Sequence, residues 1–238
     1  MSASTPASQP PVIFTKNLSL SYSSHAGTVD VLKGVDLTVS DGESVVLVGP
    51  SGSGKSSIIM LLAGLEDISG GDLNLMGKNV SDFSEDEFAT FRKENIGIVF
   101  QNFHLIPTMT ALENVSIPLE LQQAPDATQQ AKGWLEKVGL SHREEHYPAQ
   151  LSGGEQQRVA IARALSSNAK LILADEPTGN LDEATGHEIA DLLFTLNKQE
   201  GRTLLLITHD LELAQKADRI LRLENGKLHS QAHANEAK

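Results

Sequence analysis

The stretch Gly49-Pro-Ser-Gly-Ser-Gly-Lys55-Ser56 decides the fold of this chain. It fits the pattern G-x-x-x-x-G-K-[ST], with the apolar run Ser44–Val48 before it and an amphipathic segment, residues 57–65, after it. Strand, loop and helix in this order predict a phosphate-binding loop, because glycines let backbone N–H groups wrap phosphate oxygens and the helix N-terminus adds a favourable dipole. The expected phosphate-binding residues are Gly49, Pro50, Ser51, Gly52, Ser53, Gly54, Lys55, Ser56 and Ser57.

Further apolar runs place this loop in an α/β fold. Residues 171–174 and 204–208 are apolar without alternation, like Ser44–Val48, as expected of parallel strands that helices cover on both faces. Each run ends in polar residues, and ligands bind at the carboxyl ends of the strands in open α/β sheets. We therefore predict an α/β fold with a P-loop NTPase (RecA-like) core.

Two other patterns predict additions to this core. Residues 12–22 and 31–39 alternate polar and apolar side chains, which predicts an antiparallel β subdomain, and residues 219–228 repeat that pattern around the turn signal Asn225-Gly226. From residue 110 to about 164 the pattern is helical with proline breaks, which predicts an inserted α-helical subdomain.

The expected domain organisation is a single nucleotide-binding domain between two tails. We expect a disordered leader over residues 1–11, the domain over 12–230 and a flexible tail over 231–238. Within the domain, the core and β subdomain take about 12–101 and 167–230, and the helical subdomain takes about 102–166.

Composition excludes several classes of protein. The 238 residues carry 19 Lys and Arg against 31 Asp and Glu, a net charge of −12 that argues against a nucleic-acid partner. With no cysteine there is no disulfide or thiolate metal site, which fits a reducing cytoplasm. No apolar run approaches the roughly 20 residues that span a bilayer. A soluble or peripheral protein is expected.

An acidic pair follows one of the apolar runs. Asp175 and Glu176 stand at the end of a predicted buried strand, where one carboxylate can hold Mg²⁺ and the other can polarise water. We assign Asp175 to metal binding and Glu176 to general-base catalysis or to positioning of the water. Lys55 is expected to reach the β- and γ-phosphates, and the Ser56 hydroxyl is expected to ligate Mg²⁺.

The segment Leu151-Ser-Gly-Gly-Glu-Gln-Gln157 opens a predicted helix. Ser152 and Glu155 fit a capping box, which would also explain them as structural residues. Two adjacent glycines are not needed for a cap and cost up to about 1 kcal/mol each inside a helix. Exposed N–H groups at a helix N-terminus suit a phosphate.

Together, these motifs resemble the signature set of ATP-binding-cassette ATPases, from about residue 12 to 230. The resemblance implies that Gln101 contacts Mg²⁺ and the attacking water, that His209 contacts the γ-phosphate, and that Tyr22 stacks on adenine. It also makes Asn180-Leu-Asp182 a loop that crosses between subunits. A packing role for Tyr22 and a helix-capping role for His209 are the alternatives.

The resemblance further implies that two chains act together. In this family each ATP lies between the phosphate loop of one chain and the signature helix of the other, in a head-to-tail dimer. Residues Ser152, Gly153, Gly154 and Glu155 would then bind ATP in trans. ATP and Mg²⁺ are the expected cofactors.

A competing metal motif is present but poorly supported. His142-Arg-Glu-Glu-His146 fits H-x-x-E-H, which needs both histidines on one helix face. The following Tyr147-Pro148 disfavours that helix, so a polar connector is the preferred interpretation.

Residues 102–118 resemble the branch of the family that contains lipoprotein-releasing LolD, the macrolide exporter MacB and YbbA, and residues 185–194 resemble YbbA in particular. The resemblance implies an integral membrane permease subunit of the FtsX/MacB type, and a place on the inner face of the cell membrane. Phe100, Phe103, Leu105 and Ile106 would contact that subunit, or are ordinary core.

The expected function is ATP hydrolysis that drives export or extraction of a lipophilic or lipoprotein-like cargo, or transmits force across the membrane. The alternative is a soluble cassette ATPase of DNA repair or chromosome organisation. Only a short segment separates Gln101 from Leu151, so no coiled-coil arm is inserted there, and net charge −12 adds to the case against this alternative.

Overall fold

A computed structural model describes residues 10–24 and 27–230. Nearly all of the expected leader and the whole of the expected tail lie outside the described residues. The strands are β1 (Ile13–Ser24), β2 (Gly27–Val39), β3 (Ser44–Val48), β4 (Gly70–Leu75), β5 (Lys78–Asn79), β6 (Ile96–Phe100), β7 (Leu171–Asp175), β8 (Thr203–Ile207), β9 (Arg219–Glu224) and β10 (Lys227–Ser230). The α-helices are α1 (Lys55–Leu62), α2 (Glu85–Asn95), α3 (Ala111–Leu121), α4 (Ala127–Lys137), α5 (Gly153–Ser166), α6 (Glu183–Gln199) and α7 (Leu211–Ala214).

Two sheets form the fold. The six-stranded sheet has the order β10-β9-β3-β8-β7-β6 and is parallel except for β10. The four-stranded sheet has the order β2-β1-β4-β5 and is antiparallel. The predicted α/β class, with a P-loop core, an antiparallel β layer and inserted helices, is confirmed.

The β9–β10 segment corrects one detail of the prediction. The turn at Asn225 and Gly226 does join two antiparallel strands, but β9 pairs in parallel with β3 and so belongs to the core sheet. The pattern alternates because β9 buries Leu221 and Leu223 on one face and exposes Arg222 on the other, as strands of antiparallel sheets commonly do.

Two further elements were missed by sequence reasoning. The strands β4 and β5 complete the antiparallel sheet, and α2 leads into β6. The helix has a sequence signal, since Ser84 and Glu87 form a capping box that matches S-x-x-E. The strands have no comparable signal, because β4 begins with two glycines.

The core sheet divides the interior into two apolar clusters. Val45 and Leu47 of β3 face the cluster shared with the antiparallel sheet and α1, whereas Val46 and Val48 face the cluster shared with α3–α6. This period of two with both faces buried explains why the strand reads as a continuous apolar run. The edge at which the core strands end is thereby held rigidly from both sides.

Helices α3, α4 and α5 follow β6 and precede β7. At the junction α5 passes very close to β6, because a Cβ on Gly97 would lie 2.3 Å from the carbonyl oxygen of Ala164. This contact fixes the helical insertion to the sheet that carries the site. Among residues 10–24 and 27–230, every helix is too short or too polar to cross a lipid bilayer.

Candidate functional site

The phosphate-binding loop follows β3 and depends on glycine where other backbone comes close. A Cβ on Gly49 would lie 2.1 Å from the carbonyl oxygen of Leu223 in β9. Gly54, the N-cap of α1, has φ 100°, a left-handed conformation that glycine adopts readily. These two positions let the chain leave β3, curve tightly and enter α1, which begins earlier than the pattern predicted.

The polar groups of the loop fit an anion. The ammonium of buried Lys55 donates to the carbonyl oxygens of Gly49 and Pro50, both at 3.0 Å. In the same loop, the buried hydroxyl of Ser53 has no hydrogen-bond partner within the described part of the chain. Such an atom costs free energy, and a phosphate oxygen would satisfy it.

Two cavities flank this loop. One, of about 230 Å³, reaches the β9–β10 turn and includes Pro50 and Ser53 in its lining. The other, of about 220 Å³, extends from the loop to the end of β7. Its lining residues are Val31, Ser51, Gly52, Gly54, Lys55, Ser56, Ser57 and Glu176. The structure therefore brings the predicted loop residues and the predicted general base to one space.

Asp175 ends β7 directly beside α1. The hydroxyl of Ser56 donates to its Oδ1 at 3.1 Å. Burial, with a smaller contribution from the charge of Glu176, raises the pKa of Asp175 against the lowering effects of Ser56 and Lys55. A carboxylate whose charge is opposed by burial gains from a nearby cation.

This donor set fits Mg²⁺. A hydroxyl and a carboxylate are the hard oxygen ligands that this ion takes, together with waters and substrate phosphates. Among the residues that the structure describes, no group of three or more His, Asp or Glu side chains could hold a metal by itself. The phosphates of the substrate would therefore complete the site.

Glu176 and His209 lie on neighbouring strand ends. The His209 Nδ1 is 3.5 Å from the Glu176 Oε2, and the histidine side chain is 72% exposed. Glu176 has φ 44°, a strained backbone conformation for a glutamate, and its N–H donates to the carbonyl oxygen of Ile207. The tie to β8 and the unusual φ aim the carboxylate into the cavity over the loop.

Gln101 follows β6, but its side chain is bound to another predicted loop. Its Nε2 donates to the Asn180 Oδ1 at 3.2 Å, and the Asn180 Nδ2 donates back to the Gln101 carbonyl oxygen at 3.1 Å. The amide is thus engaged with Asn180 rather than with Ser56 or Asp175. Contact between Gln101 and Mg²⁺ stays a prediction.

The signature segment begins α5 with a complete capping box. The Glu155 N–H donates to the Ser152 Oγ, and the Ser152 N–H donates to the Glu155 Oε2 at 2.8 Å. A Cβ on Gly153 would lie 3.2 Å from Leu181, and one on Gly154 would lie 2.7 Å from Thr185. A side chain at Gly154 would therefore require Thr185 of α6 to shift, whereas Gly153 lies in tight contact with the loop before α6.

The signature segment does not line the cavities beside the phosphate-binding loop. None of residues 152–155 is among the lining residues of either cavity. Gly153 and Gly154 instead lie close to Leu181 and Thr185, near the start of α6.

Tyr22 lies in β1 and is 45% exposed. Partial burial, the charge of Glu66 and a hydrogen bond with Glu66 raise the pKa of its hydroxyl. Val31, rather than Tyr22, lines the cavity over the loop. Stacking of Tyr22 on a base stays a prediction.

The four apolar residues predicted to contact a membrane subunit differ in exposure. Ile106 is 38% exposed, whereas Leu105 is half-buried against the core. The Phe100 ring packs edge-on against His104, with centroids 4.8 Å apart. Phe103 faces α5, because a Cβ on Gly153 would lie 3.9 Å from its ring.

The segment with the H-x-x-E-H motif forms no metal site. Residues Ser141–Arg143 make a short 3₁₀ turn rather than the α-helix that the motif needs. The His146 Nε2 lies 3.0 Å from an Arg143 guanidinium nitrogen, and the His146 carbonyl oxygen accepts from the N–H of Ala111. The preferred connector interpretation agrees with this geometry.

Two arginines near the site were missed by sequence reasoning. Arg143 donates to the Glu155 Oε1 at 2.9 Å. Arg163 donates to the carbonyl oxygens of Phe103 and His104, which both have positive φ, and burial lowers its pKa. Neither contact leaves a local pattern, since each joins segments distant in sequence.

Comparisons with known proteins agree with these motifs. The family model described as ABC transporter matches residues 32–179. The ABC transporter ATP-binding protein YbbA of Escherichia coli K12 is 51% identical over 206 residues, which cover 86% of this chain and 90% of that protein. The lipoprotein-releasing system ATP-binding protein LolD of Legionella pneumophila is 45% identical, over 92% of this chain and 97% of that one.

A longer relative and a solved structure extend the comparison. The macrolide export ATP-binding/permease protein MacB of Bdellovibrio bacteriovorus is 46% identical over 92% of this chain, which covers 34% of MacB. The dimeric post-hydrolysis structure of the ATP-binding cassette MJ0796, bound to ADP and Pi, has a TM-score of 0.85 and 38% identity. It covers 92% of this chain and 98% of its own.

Proposed function

This chain belongs to the ABC transporter family and is one of its ATPases, and on that premise we propose that it works as a head-to-tail dimer that drives a membrane permease. ATP binds between the phosphate-binding loop of one chain and the signature segment of the other. The signature segment lines neither cavity beside the loop of its own chain, and this observation carries the proposal. The dimeric assembly of the similar cassette MJ0796 supports it.

Each residue of the site has a chemical role in this proposal. Lys55 and the loop N–H groups bind the β- and γ-phosphates, and Ser56 and Asp175 hold Mg²⁺. Bound Mg²⁺ would neutralise charge on the phosphates. Glu176 orients and deprotonates the attacking water, and His209, close to Glu176, contacts the γ-phosphate.

Three assignments from the resemblance complete the proposed site. Ser152 and Gly154 bind the γ-phosphate in trans. Gln101 would contact the metal and the attacking water, and Tyr22 would stack on the base.

A nucleotide-trapped dimer tests this mechanism. In Glu176→Gln the carboxylate that activates water is lost while the binding groups remain, so ATP with Mg²⁺ should convert the chain from monomer to dimer. Light scattering with ATP, with ADP and without nucleotide measures the mass, and Phe14→Asp, at a 38% exposed position in β1, serves as a control substitution. A chain that stays monomeric with ATP and Mg²⁺ would refute the trans arrangement.

The proposed partner is an integral membrane permease of the FtsX/MacB type, and the chain is placed in the cytoplasm on the inner face of the membrane. The names of LolD and MacB support export or extraction of a lipophilic or lipoprotein-like cargo, with force transmission as a related role. An apolar cavity of about 430 Å³ between α2, β6, α3 and α5 offers a place for a cytoplasmic helix of that permease. Leu121 on its rim is 59% exposed.

Co-purification tests the partner. Tagged Glu176→Gln protein with ATP should recover one integral membrane protein from gently solubilised membranes, as identified by mass spectrometry. Adding Leu121→Asp should abolish recovery, whereas adding Phe14→Asp should not. Leu121 is a better target than Phe103, which lies against α5. Recovery of only DNA or soluble proteins would favour a soluble cassette ATPase instead.

A further inference from the structure

The segment that carried the apparent metal motif ties α3 to the signature segment. The N–H groups of Ala111 and Leu112 at the start of α3 donate to carbonyl oxygens of His146 and Glu144. From the same turn, Arg143 donates through Nε to the Glu155 Oε1 at 2.9 Å. The turn that contains Arg143 therefore connects the N-terminus of α3 to the N-terminus of α5.

Glu155 uses both carboxylate oxygens in this arrangement. Its Oε2 accepts from the Ser152 N–H, and its Oε1 accepts from Arg143. The hydrogen bonds from Ser152 and Arg143 lower the pKa of Glu155, so this carboxylate is charged at neutral pH. The Ser152 Oγ accepts the Glu155 N–H, which leaves the hydroxyl proton free to be donated elsewhere.

A charged carboxylate beside a helix N-terminus that binds a phosphate weakens that binding, unless a cation neutralises the carboxylate. Like charges repel over several ångströms, and the effect is strongest when water is expelled as two surfaces close. Arg143 is the cation that contacts Glu155. Its second guanidinium contact is the His146 Nε2 at 3.0 Å, which must accept because arginine can only donate.

We propose that Arg143 is a positioning residue for the trans half-site: it neutralises Glu155 and holds the signature capping box so that the helix N-terminus attracts the γ-phosphate of the partner's ATP. This inference rests on the proposed head-to-tail dimer. Arg143 does not touch the nucleotide; it acts through Glu155. The His146 Nε2 contacts the guanidinium from the other side.

Steady-state ATPase assays on three variants test this role. Arg143→Ala should raise the KM for ATP about five- to tenfold with kcat within about twofold, because the loss falls on association with the anion rather than on hydrolysis. Arg143→Lys keeps the charge and should bring KM back to within about twofold. Lys132→Ala is the matched control, since it removes an ion pair to Glu144 in the same turn without touching Glu155.

A double-mutant cycle separates the neutralisation of Glu155 by Arg143 from any general structural effect of removing the Arg143 side chain. In a Glu155→Gln background there is no carboxylate to neutralise, so Arg143→Ala should change KM less than about twofold. An equal loss in both backgrounds, or a similar loss in Lys132→Ala, would overturn the inference.

A dimerisation assay distinguishes a failure of the Arg143 role from a failure of the proposed dimer. In the Glu176→Gln background, Arg143→Ala should need about five- to tenfold more ATP to dimerise. If Glu176→Gln dimerises and Arg143→Ala behaves as its parent, only the role of Arg143 fails. If Glu176→Gln never dimerises, the proposed function itself fails.

Discussion

Asp175 is a residue whose position favours function over stability. It ends β7 partly buried, beside Glu176, and its own burial is the main reason that its pKa is raised. A charged carboxylate in that place is destabilising until a cation is bound. The hydrogen bond from Ser56 offsets only part of this effect.

We therefore predict opposite effects of Asp175→Asn on stability and activity. Without nucleotide and in chelator at neutral pH, the variant should have a higher Tm than the parent, because an amide replaces the opposed charge. ATPase activity should fall by about 100-fold or more with the loss of the metal ligand. Calorimetry and phosphate release measure the two effects. Asp72→Asn, at an exposed position in β4, should change neither, and a lower Tm for Asp175→Asn would contradict this account.

At the scale of elements, three helices start with the same device. Each has a hydroxyl that caps its first turn and a glutamate three residues later that reaches back to the cap. The boxes pair Ser84 with Glu87, Thr110 with Glu113 and Ser152 with Glu155. These helices are α2, α3 and α5, which all line the cavity beside β6, so the caps fix where each helix begins next to that strand.

The capping box at the start of α2 predicts that Ser84→Ala loses thermal stability to an extent that depends on pH. Ser84→Ala should lower Tm by about 2–4 °C at neutral pH with kcat unchanged. Hydrogen bonds from Ser84 lower the pKa of Glu87. The charged capping box therefore contributes its full stability at pH values above the ordinary pKa of a glutamate. This contribution is lost as pH falls through the lowered pKa. The difference in Tm between Ser84→Ala and the parent should therefore disappear as pH falls through the lowered pKa of Glu87. Thermal unfolding from pH 7 to 3 measures it, with Ser23→Ala as control, and a constant difference would contradict it.

At the scale of the whole molecule, the signature segment shares neither of the cavities that flank the phosphate-binding loop of its own chain. The loop cavities lie at the end of the core sheet, while the signature segment lies against the loop before α6. Symmetry then requires that a head-to-tail dimer contain two identical composite sites.

Mixing two inactive variants tests this symmetry. Lys55→Ala destroys the phosphate-binding loop but keeps the signature segment. Ser152→Asp keeps a capping oxygen, yet it puts a negative charge where the γ-phosphate binds. An equal mixture should regain about a quarter of the parent ATPase activity, since half of the dimers hold one intact composite site. No recovery on mixing would count against composite sites, provided both variants keep the parent Tm.

The sequence by itself determined the family and the α/β core, and it predicted the site residues. The phosphate-binding loop, the acidic pair after β7 and the signature segment are contiguous stretches whose spacing is set by local backbone chemistry, so they are readable in one dimension. The predicted membership of the ABC transporter family and its ATPase activity are confirmed. The capping signal at Ser84 and Glu87 was also present in the chain.

The tertiary structure decided what no local pattern records. It places β9 parallel to β3, binds Gln101 to Asn180 and brings Arg143 to Glu155, all through pairs far apart in sequence. It also leaves the signature segment out of both cavities beside the phosphate-binding loop. The physical reason is that such contacts depend on how packed elements meet in space, whereas a motif records only neighbours along the backbone.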